Sequence, residues 1–138
     1  MSMSKIFEFD PQIYPTRLWT CVNPSFDDVN DKFYFLDDKN ENIIDDYSRK
    51  DFEEHFLAVA TSFSVVDKKS AFKGIFVAIW KKQCVGCGVI AHESTHATDW
   101  LWEQLDMRGY SFNDGEPRAY YTQWVANCIA DVLKSKEK

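Results

Sequence analysis

The strongest constraint on the fold is that two kinds of apolar pattern occupy different parts of the chain. Runs rich in branched and aromatic residues, typical of strands, lie in the first 80 residues, at 17–23, 58–67 and 75–80. Segments with helical spacing follow, at 89–105 and at about 114–133. Repeated βαβ units would alternate these patterns, so the order predicts an α+β protein in which two longer C-terminal helices pack on one face of a small, mainly antiparallel sheet.

Local signals predict where several elements begin and end. Ser25 resembles a helix N-cap, because acidic residues follow it in the first turn and Phe26, Val29 and Phe33 recur at helical spacing. The break at residues 68–70 separates two apolar runs and predicts a hairpin. The acidic stretch around LDDKNENIIDDYSRKD is predicted to be loop.

The length and composition fit one globular domain. A chain of 138 residues buries roughly 68% of its unfolded surface, which is enough for one core and too little for a second domain. Hydrophobic residues make up 45% and aromatic residues 16%, far from the composition of disordered chains. We therefore expect one minimal domain over residues 1–138, with a strand-rich part over about 1–80 and a helix pair over 88–133.

Charge and hydropathy exclude two classes of partner. The net charge is −6 and there is no Lys/Arg-rich stripe outside the short C-terminal KSKEK, so we expect no nucleic acid. No apolar stretch reaches the ~18 residues of a membrane span, and the N-terminus lacks the apolar core of a signal peptide. We expect no membrane association and a cytoplasmic location, where at least Cys21 and Cys128 are buried thiols. Oligomeric state stays open.

The motif that carries chemistry is His92-Glu93-Ser94-Thr95-His96. Residues four apart share a helix face, so both imidazoles can reach one zinc ion at roughly 2.0–2.1 Å. Glu93 lies beside the metal position, where a carboxylate can act as general base on a zinc-bound water. With the chain's content of His and Glu, the pattern arises by chance on the order of a few times in a thousand.

The helical wheel predicts how this helix lies against the protein. His92, Glu93, His96 and the apolar residues fall in one half, and Ser94 falls in the other with the remaining polar residues. The histidines are thus predicted on the inward edge of an apolar stripe. A buried Glu93 there needs a partner or a task.

Glu116 is the predicted third metal ligand. Catalytic zinc commonly takes three protein ligands, and Glu116 follows His96 with nineteen residues between them. Gly115 and Pro117 suit a first helical turn, and an antiparallel helix pair can return that turn towards the metal. Asp114 is the competing ligand.

The run GVIAHESTHATDW followed by GEPRAY resembles the zincin metallopeptidases, specifically the gluzincins, and also the small zincin-like proteins of phages and prophages. The resemblance covers residues 75–133. It implies a zincin-like fold, zinc on His92, His96 and Glu116, and Glu93 as base in peptide hydrolysis. It also implies that the strand at 75–80 is an edge strand that pairs with an extended peptide or protein substrate.

Several alternatives stay open beside the metallopeptidase. The chain has no length for the second helical domain of larger gluzincins and has Tyr120 where they have Asp. A non-catalytic, zinc-stabilised structural or adaptor protein of phage origin is therefore the second hypothesis. Tyr120 is the predicted oxyanion donor, with Tyr121 as the neighbouring candidate, against the simpler interpretation that Tyr120 packs between helices. Cys84 and Cys87 allow a closed Cys2His2 zinc site with the two histidines.

Overall fold

A five-stranded sheet forms the centre of the protein, in a computed structural model that describes residues 3–39, 41–107 and 115–135. The spatial order is β1-β2-β5-β4-β3, and β2 and β5 run parallel while the other neighbours are antiparallel. The α+β class and the mainly antiparallel sheet are confirmed. The strands are β1 (Phe7–Phe9), β2 (Arg17–Val22), β3 (Phe33–Phe35), β4 (Ala60–Asp67) and β5 (Lys73–Ile79).

Two short and two long helices accompany the sheet in the described part of the chain. The two long helices are C-terminal, as predicted, and begin and end within a few residues of the expected positions. Short 3-10 turns occupy Glu54–Leu57 and Lys82–Cys84. The helices are α1 (Phe26–Lys32), α2 (Arg49–Glu53), α3 (Cys87–Gln104) and α4 (Gly115–Lys134).

Both faces of the sheet are covered, and the two long helices lie together on one of them, as predicted. The long helices α3 and α4 bury one face through residues such as Leu101 and Val125, packed on Ile75 and Val77 of β5. On the opposite face Val29 and Phe52 of the short helices pack with aromatic residues of the strands, such as Phe33, Phe63 and Phe76, in a second core. This second core explains why β5 is apolar from residue 75 to residue 79: these side chains are buried on both faces of the sheet.

The central position of β5 overturns one prediction. The run at 75–80 was expected to form an edge strand that receives a peptide, but β5 is paired with β2 on one side and β4 on the other. Its backbone groups are therefore occupied by the sheet. The close β2–β5 pairing also requires Gly74, because a Cβ there would lie 2.1 Å from the carbonyl oxygen of Arg17.

Several local predictions are confirmed and others are wrong. Ser25 caps α1 by accepting the N–H of Asp28, and β4 and β5 form the expected hairpin. Phe33, in contrast, does not continue α1 but begins β3, which pairs with the end of β4. The acidic segment holds α2, with a capping box at Ser48, as well as loop. Among the described residues, no helix is both long and apolar enough to cross a bilayer.

Candidate functional site

The two motif histidines converge on the exposed surface of α3. The Nε2 atoms of His92 and His96 lie 3.0 Å apart, and the ring planes meet at 81°. Two imidazole nitrogens on one tetrahedral zinc at roughly 2.05 Å would be about 3.3 Å apart. The distance between the two nitrogens therefore fits a zinc ion with little movement of either ring.

The exposed position of the histidines corrects the helical-wheel prediction. The side chain of His92 is 66% exposed, and the buried face of α3 instead includes Ser94 and Thr98, which had been assigned to the polar half. The small Ser94 and Thr98 let α4 approach closely, and Thr98 hydrogen-bonds Thr122 of α4. The buried arc of α3 therefore takes residues from both halves of the wheel, because the packing of α4 decides which arc is covered.

Glu93 is buried beside these exposed rings. Only 6% of the residue is accessible, and its Oε1 accepts a hydrogen bond of 2.7 Å from the hydroxyl of Ser62 on β4. Its Oε2 lies 3.9 Å from Nε2 of His92. The carboxylate is thus held with one oxygen on the sheet and the other near the point where the imidazoles converge. The predicted burial of Glu93 is confirmed.

A cleft of about 350 Å³ opens next to Glu93 and His92. Its other walls are formed by Ala58, Val59 and Ala60, where the chain enters β4, and by Gly88 and Val89 in the first turn of α3. A site of this shape has room for a modest apolar side chain next to the carboxylate.

An open sheet edge borders the same cleft. Val59 and Asp67 hydrogen-bond Trp80 and Phe72, the residues that flank β5. Alternation along the antiparallel ladder then directs the N–H and C=O of Ala60 and Ser62 away from β5. On that side β3 pairs only with residues 65–67 of β4. No described residue hydrogen-bonds the outward backbone groups of Ala60 and Ser62, so they can receive an extended chain.

The structure does not bring Glu116 to the histidines. Glu116 is exposed in the first turn of α4, and Arg118 in that turn forms an ion pair of 2.6 Å with Asp99 of α3. This contact holds the first turn of α4 beside the part of α3 that follows His96. Within the described ranges, no group of three or more His, Cys, Asp or Glu side chains is placed to hold a metal. Asp114, the competing ligand, lies outside the described residues.

Tyr120 lies away from the histidines. Its side chain is 67% exposed and lines a separate cleft with Pro11, Ile13 and Tyr14. The neighbouring Tyr121 is buried, and burial raises the pKa of its phenol above the ordinary value. Neither tyrosine is among the residues around Glu93, so the structure gives the predicted oxyanion donor no direct support.

The four cysteines divide into two buried and two exposed thiols, and only the burial of Cys21 and Cys128 was predicted. Cys21 and Cys128 are buried, and burial raises the pKa of each thiol to about 12. Cys84, at the end of the 3-10 turn, and Cys87, the first residue of α3, are exposed and free. In the part of the chain that the structure describes, they do not form a metal cluster with the histidines.

Ser62 is the site residue that the sequence interpretation missed. The only signal was the alternation of β4, which puts Ser62 and Ser64 on one face of a strand that is otherwise mostly apolar. Nothing in the sequence alone shows that α3 crosses this face.

Comparisons with protein-family models, with curated proteins and with solved structures found no match to this chain.

Proposed function

We propose that the protein is a zinc-dependent hydrolase of peptide bonds. The observation that carries the proposal is the juxtaposition of two converging imidazole nitrogens, 3.0 Å apart, with a buried carboxylate. Two exposed histidines alone are a common surface feature. A buried acid costs the fold stability, so its presence beside the histidines points to a functional role.

The residues divide into metal ligands and a base. His92 and His96 would hold zinc, and a zinc ion bound there supplies a Lewis acid that polarises a carbonyl and lowers the pKa of water to about 7. Glu93 accepts the proton of the attacking water and returns it to the leaving amine. Its buried position keeps the carboxylate fixed beside the reacting atoms.

Glu116 is proposed as the third zinc ligand from the sequence pattern alone. Its exposed place on α4 gives no geometric argument for that role. Zinc affinity of Glu116→Ala decides it: a loss of 10-fold or more supports ligation, and unchanged affinity removes Glu116 from the site.

The substrate proposed is an extended peptide or protein segment. The outward backbone groups of Ala60 and Ser62 would pair with it as an added strand. This pairing would place the peptide bond near Glu93, with an apolar side chain in the adjoining cleft. β4 thus takes the role that the sequence had assigned to the strand at 75–80.

The test is Glu93→Gln in the zinc-loaded full chain, assayed on a mixed peptide library with metal content measured in parallel. We expect the wild type to cleave and to carry about one zinc, and the variant to keep zinc while losing activity by 100-fold or more. Glu53→Gln is the matched control, because Glu53 is exposed on α2. Full activity in Glu93→Gln would refute the proposal.

A non-catalytic protein that uses zinc for stability is the second candidate. It is favoured by one observation: within the described residues, no third ligand lies beside the two histidines. It predicts zinc binding without cleavage of any library peptide by the wild type.

A further inference from the structure

We propose that Ser62 is a positioning residue that sets the orientation of the Glu93 carboxylate. This inference rests on the proposed function for its catalytic meaning, but the contact itself is a property of the metal-free protein. The Ser62 hydroxyl donates to Oε1 of Glu93 at 2.7 Å, across the interface between β4 and α3.

The hydrogen bond determines which oxygen faces the histidines. Ser62 is the one hydrogen-bond donor to the Glu93 carboxylate among the described residues, and it occupies Oε1. Oε2 is then the oxygen left near Nε2 of His92, at 3.9 Å. A general base needs an oxygen held within hydrogen-bond reach of the proton it takes, and fixing Oε1 on Ser62 holds Oε2 on the side of the histidines.

The backbone that carries Ser62 is rigid compared with a loop. β4 is paired with β5 over seven residues, from Ala60 to Val66. Glu93 sits on a helix packed on the same sheet, so both ends of the contact are fixed by secondary structure. The carboxylate has three rotatable bonds, and loss of Ser62 frees it to turn towards the metal or away from the cleft.

The strand offers a matched control. Ser64 lies two residues along on the same face and accepts a hydrogen bond of 2.8 Å from Nε2 of Gln104. Ser64→Ala therefore removes a hydroxyl between the same strand and the same helix without touching Glu93. Ser62→Thr keeps a hydroxyl and is the conservative variant.

The first experiment needs neither metal nor activity. The chain is labelled with glutamate carrying ¹³C at the side-chain carboxyl, and the Glu93 signal is identified by its loss in Glu93→Gln. We expect Ser62→Ala to shift this signal, and Ser64→Ala and Ser62→Thr to leave it close to its wild-type position. An unchanged Glu93 signal in Ser62→Ala would overturn the proposal whatever the protein's activity.

The second experiment measures catalysis by the zinc-loaded chain. We expect Ser62→Ala to lower kcat by about 10- to 100-fold with KM changed less than threefold and zinc content unchanged, and Ser62→Thr to restore most of kcat. Equal losses in Ser62→Ala and Ser64→Ala would show a general packing effect and overturn the positioning role. A wild type without activity refutes the proposed function, and the carboxyl signal still decides the contact.

Discussion

Zinc binding should stabilise the folded protein, and the exposed position of the ligands makes this effect easy to isolate. Because His92 and His96 lie on the surface, replacing both with Ala should change the stability of the metal-free protein by less than about 0.5 kcal/mol. The double variant then differs from the wild type in zinc binding and in little else.

The expected magnitude follows from the chain length. Zinc at 100-fold above its Kd stabilises the native state by about 2.7 kcal/mol. For a chain of 138 residues the unfolding entropy is about 0.29 kcal/mol per kelvin, so the wild-type Tm should rise by about 9 °C.

Calorimetry with and without zinc checks this. The wild type should lose the shift when a chelator is added, and the double histidine variant should show none. An equal Tm shift in both proteins would refute the histidine site. Loss of the Tm shift in the double variant Cys84→Ser/Cys87→Ser would instead assign the metal to those exposed thiols.

Two further substitutions test the architecture around the site. Gly74→Ala should destabilise the fold by about 3 kcal/mol or more in urea denaturation, because the new Cβ would meet the Arg17 carbonyl at 2.1 Å. Asp67→Asn should cost about 1–3 kcal/mol at neutral pH, since a buried carboxylate at the end of β4 loses its contacts with Lys32 and Ser70. Although burial acts to raise the pKa of Asp67, the Ser70 hydrogen bonds and the Lys32 ammonium hold it below its ordinary value. This stabilisation is present above pH of about 4 and is lost as the pH falls through the lowered pKa, so acid should destabilise the wild type more than the variant.

The elements that the sequence predicted well are those whose signal is local. A capping serine, a run of branched residues or a helical repeat acts through neighbours in the chain, and Ser25, β2 and α3 all follow these rules. The missed β3 depends on a distant partner. Phe33 matches a helical spacing as well as a strand, and pairing with Asp67 decides between them.

The histidine pair was predictable from the sequence, but the groups that surround it were not. A helix repeat places His92 and His96 together, and the structure agrees at 3.0 Å between their Nε2 atoms. Which face of α3 is covered depends on where β4 and α4 pack, and that information is spread over residues 60–64 and 118–132. For the same reason Ser62 could not be identified beforehand.

The burial of Glu93 leads to a prediction about the stability of the metal-free protein, because a residue kept for catalysis can lower the stability of the fold. An ionised carboxylate out of water costs several kcal/mol, and one hydroxyl donor such as Ser62 returns about 1.5–3 kcal/mol of that. Glu93 therefore lowers the stability of the metal-free protein, and Glu93→Gln, which keeps the shape and removes the charge, should raise it by about 1 kcal/mol or more. Urea denaturation of the metal-free chain measures the change, with Glu53→Gln expected to be neutral because Glu53 is exposed. A destabilised Glu93→Gln would mean that the carboxylate serves the fold, and the stability argument for a catalytic task at Glu93 would fail with it.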